Sequence, residues 1–301
     1  MRYSSSYNRI VITIDHEFAE QHVSAFFDHF LISSKYRQKY IREGTVLLNR
    51  KPISGTDTLL HSGDTLTIVS GREEPGFIPA DEECTVVYED DFVYAVHKPA
   101  GVIIHGEPGE KDLASMAAAW QTAHGIHAPV RYLHRLDRET TGLVLFSKVP
   151  FFQPWLDHEL REKRIRRRYY ALCRGRVKEK QKFTFNAPIG RDRHVSGKYR
   201  ISDTGKPALT HAVCRRKRGD LCLMECELET GRTHQIRVHL SSAGLPMIND
   251  PLYGTPDPHY PGMCLWAYEL SFENPVSHEA VTVRDIADDV FEGFMNSTRR
   301  D

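Results

Sequence analysis

No run of apolar residues in this 301-residue chain approaches the roughly 20 that a helix needs to cross a bilayer. The opening stretch, "MRYSSSYNRIVITIDHE", also lacks the short apolar core and small-residue cleavage site of a secretory signal. A soluble, cytoplasmic protein with no membrane partner is therefore expected. Cysteine is sparse: there are six, none in a C-x-x-C pair, and several sit in apolar runs where a thiol behaves as a small hydrophobe. Reduced thiols follow. Neither G-x-G-x-x-G nor G-x-x-x-x-G-K-[ST] occurs, which argues against dinucleotide or ATP chemistry, and no G-x-S-x-G marks a serine nucleophile. His234 and His239 are five apart and off a shared helix face, so no metal site is expected either. Net charge is absent too: 40 Lys and Arg balance 40 Asp and Glu, and the totals favour no charged partner.

The distribution of charge is less even. "REKRIRRR" sets Arg161, Lys163, Arg164, Arg166, Arg167 and Arg168 around the lone acid Glu162. A second region carries Arg191, Arg193, Lys198 and Arg200, then Arg215, Arg216, Lys217 and Arg218, with Asp192 and Asp203 between them. Phosphate backbones are drawn to such patches through counterion release, so a nucleic-acid partner is expected. The competing reading is a solvated face of ion pairs, against which stands the scarcity of acids nearby in sequence.

At roughly 150 residues per domain, the length allows two. Residues 8–70 read as a small α/β unit: a strand over 10–14, a helix over 18–31, a second helix from Ser34, then strands in "GTVLLNRKPI" and "GDTLTIVS". Ser33 or Ser34 can cap the second helix and Gly44 can end it, with Tyr36 and Tyr40 on one face and Lys35, Lys39 and Arg42 beside them. Residues 71–83, rich in Gly, Pro and acids, read as a linker. Beyond it, over 84–290, come two strands, a helix near 113–124, and the strand-like runs "GLVLFSK", "RYYALCRG", "ALTHAVCRR" and "DLCLMECELET". Their spacings suit hairpins better than crossover helices, so the expected class is α+β with a mixed, largely antiparallel sheet. An acidic amphipathic helix and a frayed tail, 291–301, close the chain.

In "RYLHRLDRETTGLVLFSK", Asp137 stands between Arg135 and Arg138 and ahead of a strand over 143–146, with Gly142 supplying the freedom of a turn. Adjacent cations favour an ionised carboxylate, a group able to act as a nucleophile. An ordinary cap or ion pair fits the same residues. In "TGRTHQIRVHLSSAG", Thr233 can cap a short helix ended by Gly244, with Ile236 and Leu240 on its buried side and His234, Arg237 and Ser241 on the other. Arg237 is either a structural ion-pair partner or a partner for Asp137, and pairing with Asp137 would serve both readings.

Five segments, "YEDDFVYAVHKPAGVIIH", "HRLDRETTG", "RRRYYALCRG", "IGRDRHVSGKYRISDTGKPALTH" and "GRTHQIRVHL", together resemble the RluA-type pseudouridine synthases across nearly all of residues 84–272. "SSKYRQKYIREGTVLLNRKPI" and "SGDTLTIV" resemble a diverged S4 RNA-binding domain, with Lys35 where that pattern has Arg and Arg50 where it has Gly. The resemblance implies a pseudouridine synthase fold and the isomerisation of uridines in RNA without a cofactor or metal. It assigns Asp137 to attack on the target nucleotide, Tyr169 to packing against the base and Arg237 to pairing with the aspartate. Arg135 is implied to fill the gap left by the flipped base. Thr141 stands where many relatives carry Ser, and Lys98 and Pro99 belong to a family motif. Further RNA-contact candidates are His134, Arg232, His234, Arg164, Arg166, Arg167, Lys35 and Lys39. Relatives with the added module commonly modify large-subunit ribosomal RNA, which is the expected substrate, and a monomer suffices. The alternatives are a tRNA pseudouridine synthase, a non-catalytic RNA-binding or ribosome-assembly factor, and a glycosylase that admits water, although glycoside hydrolysis normally needs a second carboxylate.

Overall fold

The computed structural model describes residues 1–6, 8–70, 73–107, 110–285 and 291. Its elements run β1 (Arg2–Ser6), β2 (Arg9–Thr13), α1 (Val23–His29), α2 (Ser34–Glu43), β3 (Val46–Leu48), β4 (Lys51–Pro52) and β5 (Thr65–Val69) in the N-terminal unit. There follow β6 (Thr85–Glu89), β7 (Val93–Lys98), α3 (Leu113–Ala123), β8 (Arg131–Tyr132), β9 (Thr141–Ser147), α4 (Gln153–Arg161), β10 (Arg166–Arg174) and β11 (Lys182–Asn186). The chain continues with β12 (Ile189–Arg191), β13 (Tyr199–Ile201), β14 (Leu209–Arg218), β15 (Leu221–Leu228), α5 (Gln235–Ser242), β16 (Leu265–Glu273) and β17 (Ala280–Arg284).

The first seven elements form a five-stranded antiparallel sheet, β1-β2-β5-β3-β4, with two short helices. β1 escaped the sequence reading because "RYSSS" has no apolar alternation. It pairs along β2 and lays Tyr3 edge-on to Phe92 at 4.9 Å. The first helix is shorter than expected. Its start is fixed at Val23, whose amide donates to the Thr58 carbonyl at 2.9 Å, and residues 18–22 are turn and bridge instead. Gly44 ends α2 in the left-handed region at φ 62°, as its position suggested, but the Ser33 side chain makes no capping bond. Asn49 and Arg50, both at positive φ, join β3 and β4 in a tight hairpin, so one expected strand is two.

A ten-stranded sheet dominates the rest, in the order β11-β14-β15-β10-β16-β9-β7-β6, with β17 added beside β16 and β8 beside β9. All its pairings are antiparallel except β9 with β16, the mixed, largely antiparallel α+β arrangement expected from the spacings. That parallel contact is only two residues long, Thr141 opposite Trp266 and Gly142 opposite Ala267. Gly142 is therefore inside a strand, not in a turn. It sits at φ +113°, and a Cβ there would run into the Ala267 backbone, so only glycine lets the two strands meet. All six cysteines are buried free thiols. The expected C-terminal helix and tail lie outside the described residues.

The N-terminal unit is not held by its chain connection alone. Phe26 and Phe27 of α1 and Phe30 just after it pack on Phe151 and Phe152, in a short 3-10 turn before α4, and this aromatic group continues into the core beneath β7 and β9. Residues 73–83 are also tied down: Val130 donates to the Pro75 carbonyl at 2.9 Å and Ala80 to the Ser115 carbonyl at 3.0 Å. Phe30 is fully buried between both parts. Phe30→Ala is expected to cost about 3–5 kcal/mol and to lower the urea midpoint of the whole chain in one transition. A separate early transition of the N-terminal unit would contradict the shared core.

Candidate active site

Asp137 lies in residues 133–140, the loop that carries the chain from β8 to β9 near the middle of the large sheet. Two features fix its backbone. The Thr140 amide closes a turn on the Asp137 carbonyl at 3.1 Å. From below, the fully buried Lys98 ammonium donates to the carbonyls of Pro99, Val102 and Arg138 at 2.9, 2.7 and 2.9 Å, tying the residue after Asp137 to the end of β7. Burial pushes the Lys98 pKa down to about 7, against the opposing charges of Glu139 and Asp137. Its role here is structural.

Tyr169 stands on β10 opposite Ala267 of β16, and Ala267 stands opposite Gly142 of β9, so the three residues form one row across the sheet. A register shift between Arg168 and Tyr169 sets this row. Tyr169 is buried and faces the Asp137 side, while its neighbour Tyr170 points to the other face and stacks on Tyr268 at 4.2 Å. Burial raises the Tyr169 phenol, opposed by the nearby Arg167 charge.

Arg237 comes from α5. The helix does not begin on a Thr233 cap: His234 occupies the cap position at φ 56°, and its side chain does not cap the helix. Gln235 does the anchoring instead, its oxygen accepting from Thr230 Oγ1 at 2.7 Å and the Arg232 amide at 3.0 Å, and its nitrogen donating to Thr210 Oγ1 at 2.9 Å. Held this way, Arg237 is 4% exposed and donates through Nε and Nη2 to both oxygens of Asp250 at 2.8 Å. Its remaining nitrogen, Nη1, reaches Asp137 Oδ2 at 2.9 Å. Burial opposes the charge on Arg237, but the bonds and charges of Asp250 and Asp137 outweigh it and hold the guanidinium above its ordinary pKa.

Asp250 was missed in the sequence because "NDPLYG" reads as an ordinary turn. That turn is its support: Asp250 Oδ1 also accepts the amides of Leu252 and Tyr253 at 2.9 and 3.1 Å. Tyr253 then covers the guanidinium, 5.2 Å from ring centre to Arg237, and its hydroxyl accepts the Tyr199 amide at 2.7 Å. The Tyr253 hydroxyl is also hydrogen-bonded to His234 Nδ1 at 2.9 Å, which places the other ring nitrogen, Nε2, 3.8 Å from Asp137 Oδ2. Burial pulls the His234 pKa below its ordinary value, so the ring is neutral in this network.

These groups open into a cavity of about 910 Å³ lined by Asp137, Tyr169 and Arg237 together with Arg135, Arg167, Arg232 and His234. Other candidates are elsewhere. His134 also borders the cavity but is buried, with Nε2 accepting the Leu145 amide at 3.3 Å, and burial drives its pKa to about 3, so its ring braces the loop rather than meeting RNA. Arg138 turns away to Glu110 at 3.5 Å. Arg164 is clamped by both oxygens of Glu159 at 2.6 Å, Lys39 is paired with Glu73, and Arg166 and Lys35 are exposed outside the cavity lining. The basic run does have acids: Lys163 meets Glu229 at 2.7 Å, and Arg168 meets Glu227 and Glu269 at 3.4 and 3.0 Å. They were invisible in sequence because strand pairing delivers them from afar.

The family model described as RNA pseudouridylate synthase matches residues 92–242, which takes in Asp137, Tyr169 and Arg237. An uncharacterised RNA pseudouridine synthase of Bacillus subtilis, YhcT, is 36% identical over 228 residues, 74% of this chain and 75% of that one. Ribosomal large subunit pseudouridine synthase D of Neisseria meningitidis is 34% identical over 309 aligned positions, covering 96% of this chain and 82% of that one. Among solved structures, human RNA Pseudouridylate Synthase Domain Containing 1 superposes with a TM-score of 0.57 at 25% identity, over 69% of this chain and 85% of that one. With a buried arginine presenting one aspartate above a tyrosine, and with relatives matched along almost its whole length, this chain belongs to the RNA pseudouridylate synthase family.

Proposed function

We propose that the chain isomerises specific uridines of large-subunit ribosomal RNA in the cytoplasm, with Asp137 as the group that attacks the flipped nucleotide. The Asp137–Arg237 bond at 2.9 Å, facing a cavity wide enough for a nucleoside, carries this reading. In the reaction the C1′–N1 bond breaks, the uracil turns, a C1′–C5 bond forms, and the C5 proton is lost while N1 gains one. The sum is redox-neutral. Arg237 orients the carboxylate through a nitrogen that Asp250 leaves over. Tyr169 supplies a flat, buried floor for the base, and Arg135, exposed at the rim, fills the space the base vacates. The ribosomal assignment is supported by the similarity to ribosomal large subunit pseudouridine synthases D.

Residues 8–70 are read as an S4-like RNA-binding module, 71–83 as its connection and 84–290 as the catalytic domain, acting as a monomer because Asp137, Tyr169, Arg237 and Asp250 all come from one chain. RNA binding without catalysis is the second reading, and tRNA the second substrate.

The C5 proton provides the assay. Ribosomal RNA tritiated at C5 of uridine is expected to release tritium to water with the parent, and with Asp137→Ala to release at least about a thousandfold less, while RNA affinity changes little. Release by neither protein leaves only the binding reading; free uracil indicates a glycosylase. Transfer RNA serves as the comparison substrate. Asp250→Asn removes one acceptor from the arginine and sets an amide nitrogen against it. Breaking a buried pair costs about 3–5 kcal/mol, so this variant is expected to melt earlier and to lose kcat tenfold or more with KM nearly unchanged. An unaltered kcat would show that Asp137 does not depend on the clamp.

A further inference from the structure

A second cavity, about 630 Å³, opens between α2 and the catalytic domain. Volumes of this order hold small organic groups. Its apolar walls include Tyr36 and Tyr40 of α2, Phe77, and the rings of Pro129 and Pro154. Tyr40 is spent on packing, 5.4 Å from Phe151, but Tyr36 is 46% exposed, one of few large apolar side chains left so among the described residues. A carboxyl faces the same space: Asp157, which accepts Gln153 Nε2 at 2.9 Å and is pushed up by burial. The cleft thus combines aromatic and proline rings with the carboxyls of Glu43, Glu73 and Asp157 and the cations Lys39 and Arg131.

Its position relative to the active site argues for the occupant. Tyr132 lines both cavities. β8, residues Arg131–Tyr132, enters the second cleft and leads within five residues to Asp137. Arg131 is exposed at the junction. The aromatic cluster around Phe30 and Phe151 fixes α2 against the catalytic domain, so the slot exists before anything binds. We infer that this cleft holds an unpaired nucleobase of the same RNA whose uridine enters the Asp137 cavity, stacked on Tyr36 with an N–H donor edge toward Asp157. This rests on the RNA reading given above. Stacking on an exposed aromatic suits any base, and Arg131 stands where the connecting phosphates pass.

The site predicts a length dependence. A substrate too short to reach from Asp137 past Arg131 gains nothing from Tyr36, whereas a longer RNA does. With tritiated ribosomal RNA, Tyr36→Ala is expected to raise KM about tenfold, the order of one lost stacking contact, with kcat kept, and Tyr36→Phe to behave as the parent. Fragments of a few nucleotides around the modified uridine are expected to show no difference between parent and Tyr36→Ala. Independently of turnover, RNA substituted with 4-thiouridine is photocrosslinked to the full-length protein and to Asp137→Ala, and the peptides are mapped. A crosslink on α2 that is lost in Tyr36→Ala supports the cleft even where no tritium is released, in which case the catalytic reading fails and this one stands. Absence of that crosslink, or a KM for long RNA unchanged by Tyr36→Ala, overturns it.

Discussion

A guanidinium that serves two carboxylates unequally is the constraint on which this site depends. Asp250 takes two nitrogens of Arg237 in a planar fork at 2.8 Å and is itself fixed by two backbone amides. What remains for Asp137 is a single nitrogen with no freedom to move. A lysine could not do this, since its ammonium has no fixed fork and would follow whichever carboxylate came closer. Because Arg237 is 4% exposed, its charge has little water to retreat into, and removing either acid leaves a buried cation short of a partner. Orientation of Asp137 is thus set by Arg237 and, behind it, by Asp250 and the turn at residues 250–254.

The sheet meets this clamp from the other side. Only one parallel contact joins β9 to β16, and it is possible because Gly142 has no side chain to strike Ala267. Through that contact the Asp137 loop is placed in line with Tyr169, two strands away. Lys98, saturated by three carbonyls, stops the loop from lifting. The geometry around Asp137 is built from backbone approach and buried hydrogen bonds, with little left to side-chain flexibility.

Local patterns disclosed most of the strands and α2 with its Gly44 ending, and raised Asp137 as a candidate, because each depends on neighbours in the chain. Arg237 was legible as a candidate from helical spacing, but its partner Asp250 was not, since nothing in "NDPLYG" distinguishes a clamp from a turn. The Thr233 cap was wrong for a related reason: Gln235 competes for the same loop through contacts with Thr210 and Thr230, and tertiary bonds outweighed a local preference. His134 shows the opposite error. Its place beside Asp137 suggested contact with RNA, yet burial and the Leu145 amide claim the ring.

Charge gives the clearest case of sequence proximity misleading. "REKRIRRR" looked short of acids, but Glu159, Glu227, Glu229 and Glu269 reach its members through helix and sheet, so much of that patch is neutralised in place. Inside the cavity the balance differs. Arg167 lines it with Nε buried and unpartnered, and among the described residues no carboxylate comes within ion-pair distance of Arg135, Arg167 or Arg232. The acid of the lining besides Asp137, Glu229, is occupied by Lys163 and His211, both at 2.7 Å. With Lys163 of the lining paired but these three without a carboxylate, positive potential remains at the mouth of the site in a chain of zero net charge. Exposed charges farther off than a Debye length, about 8 Å at physiological salt, are screened, so attraction of a phosphate falls to the cations lining the cavity itself. Zero net charge and a strong local preference for RNA are therefore compatible, because sheet pairing, and not the count of arginines, decides which cations remain free.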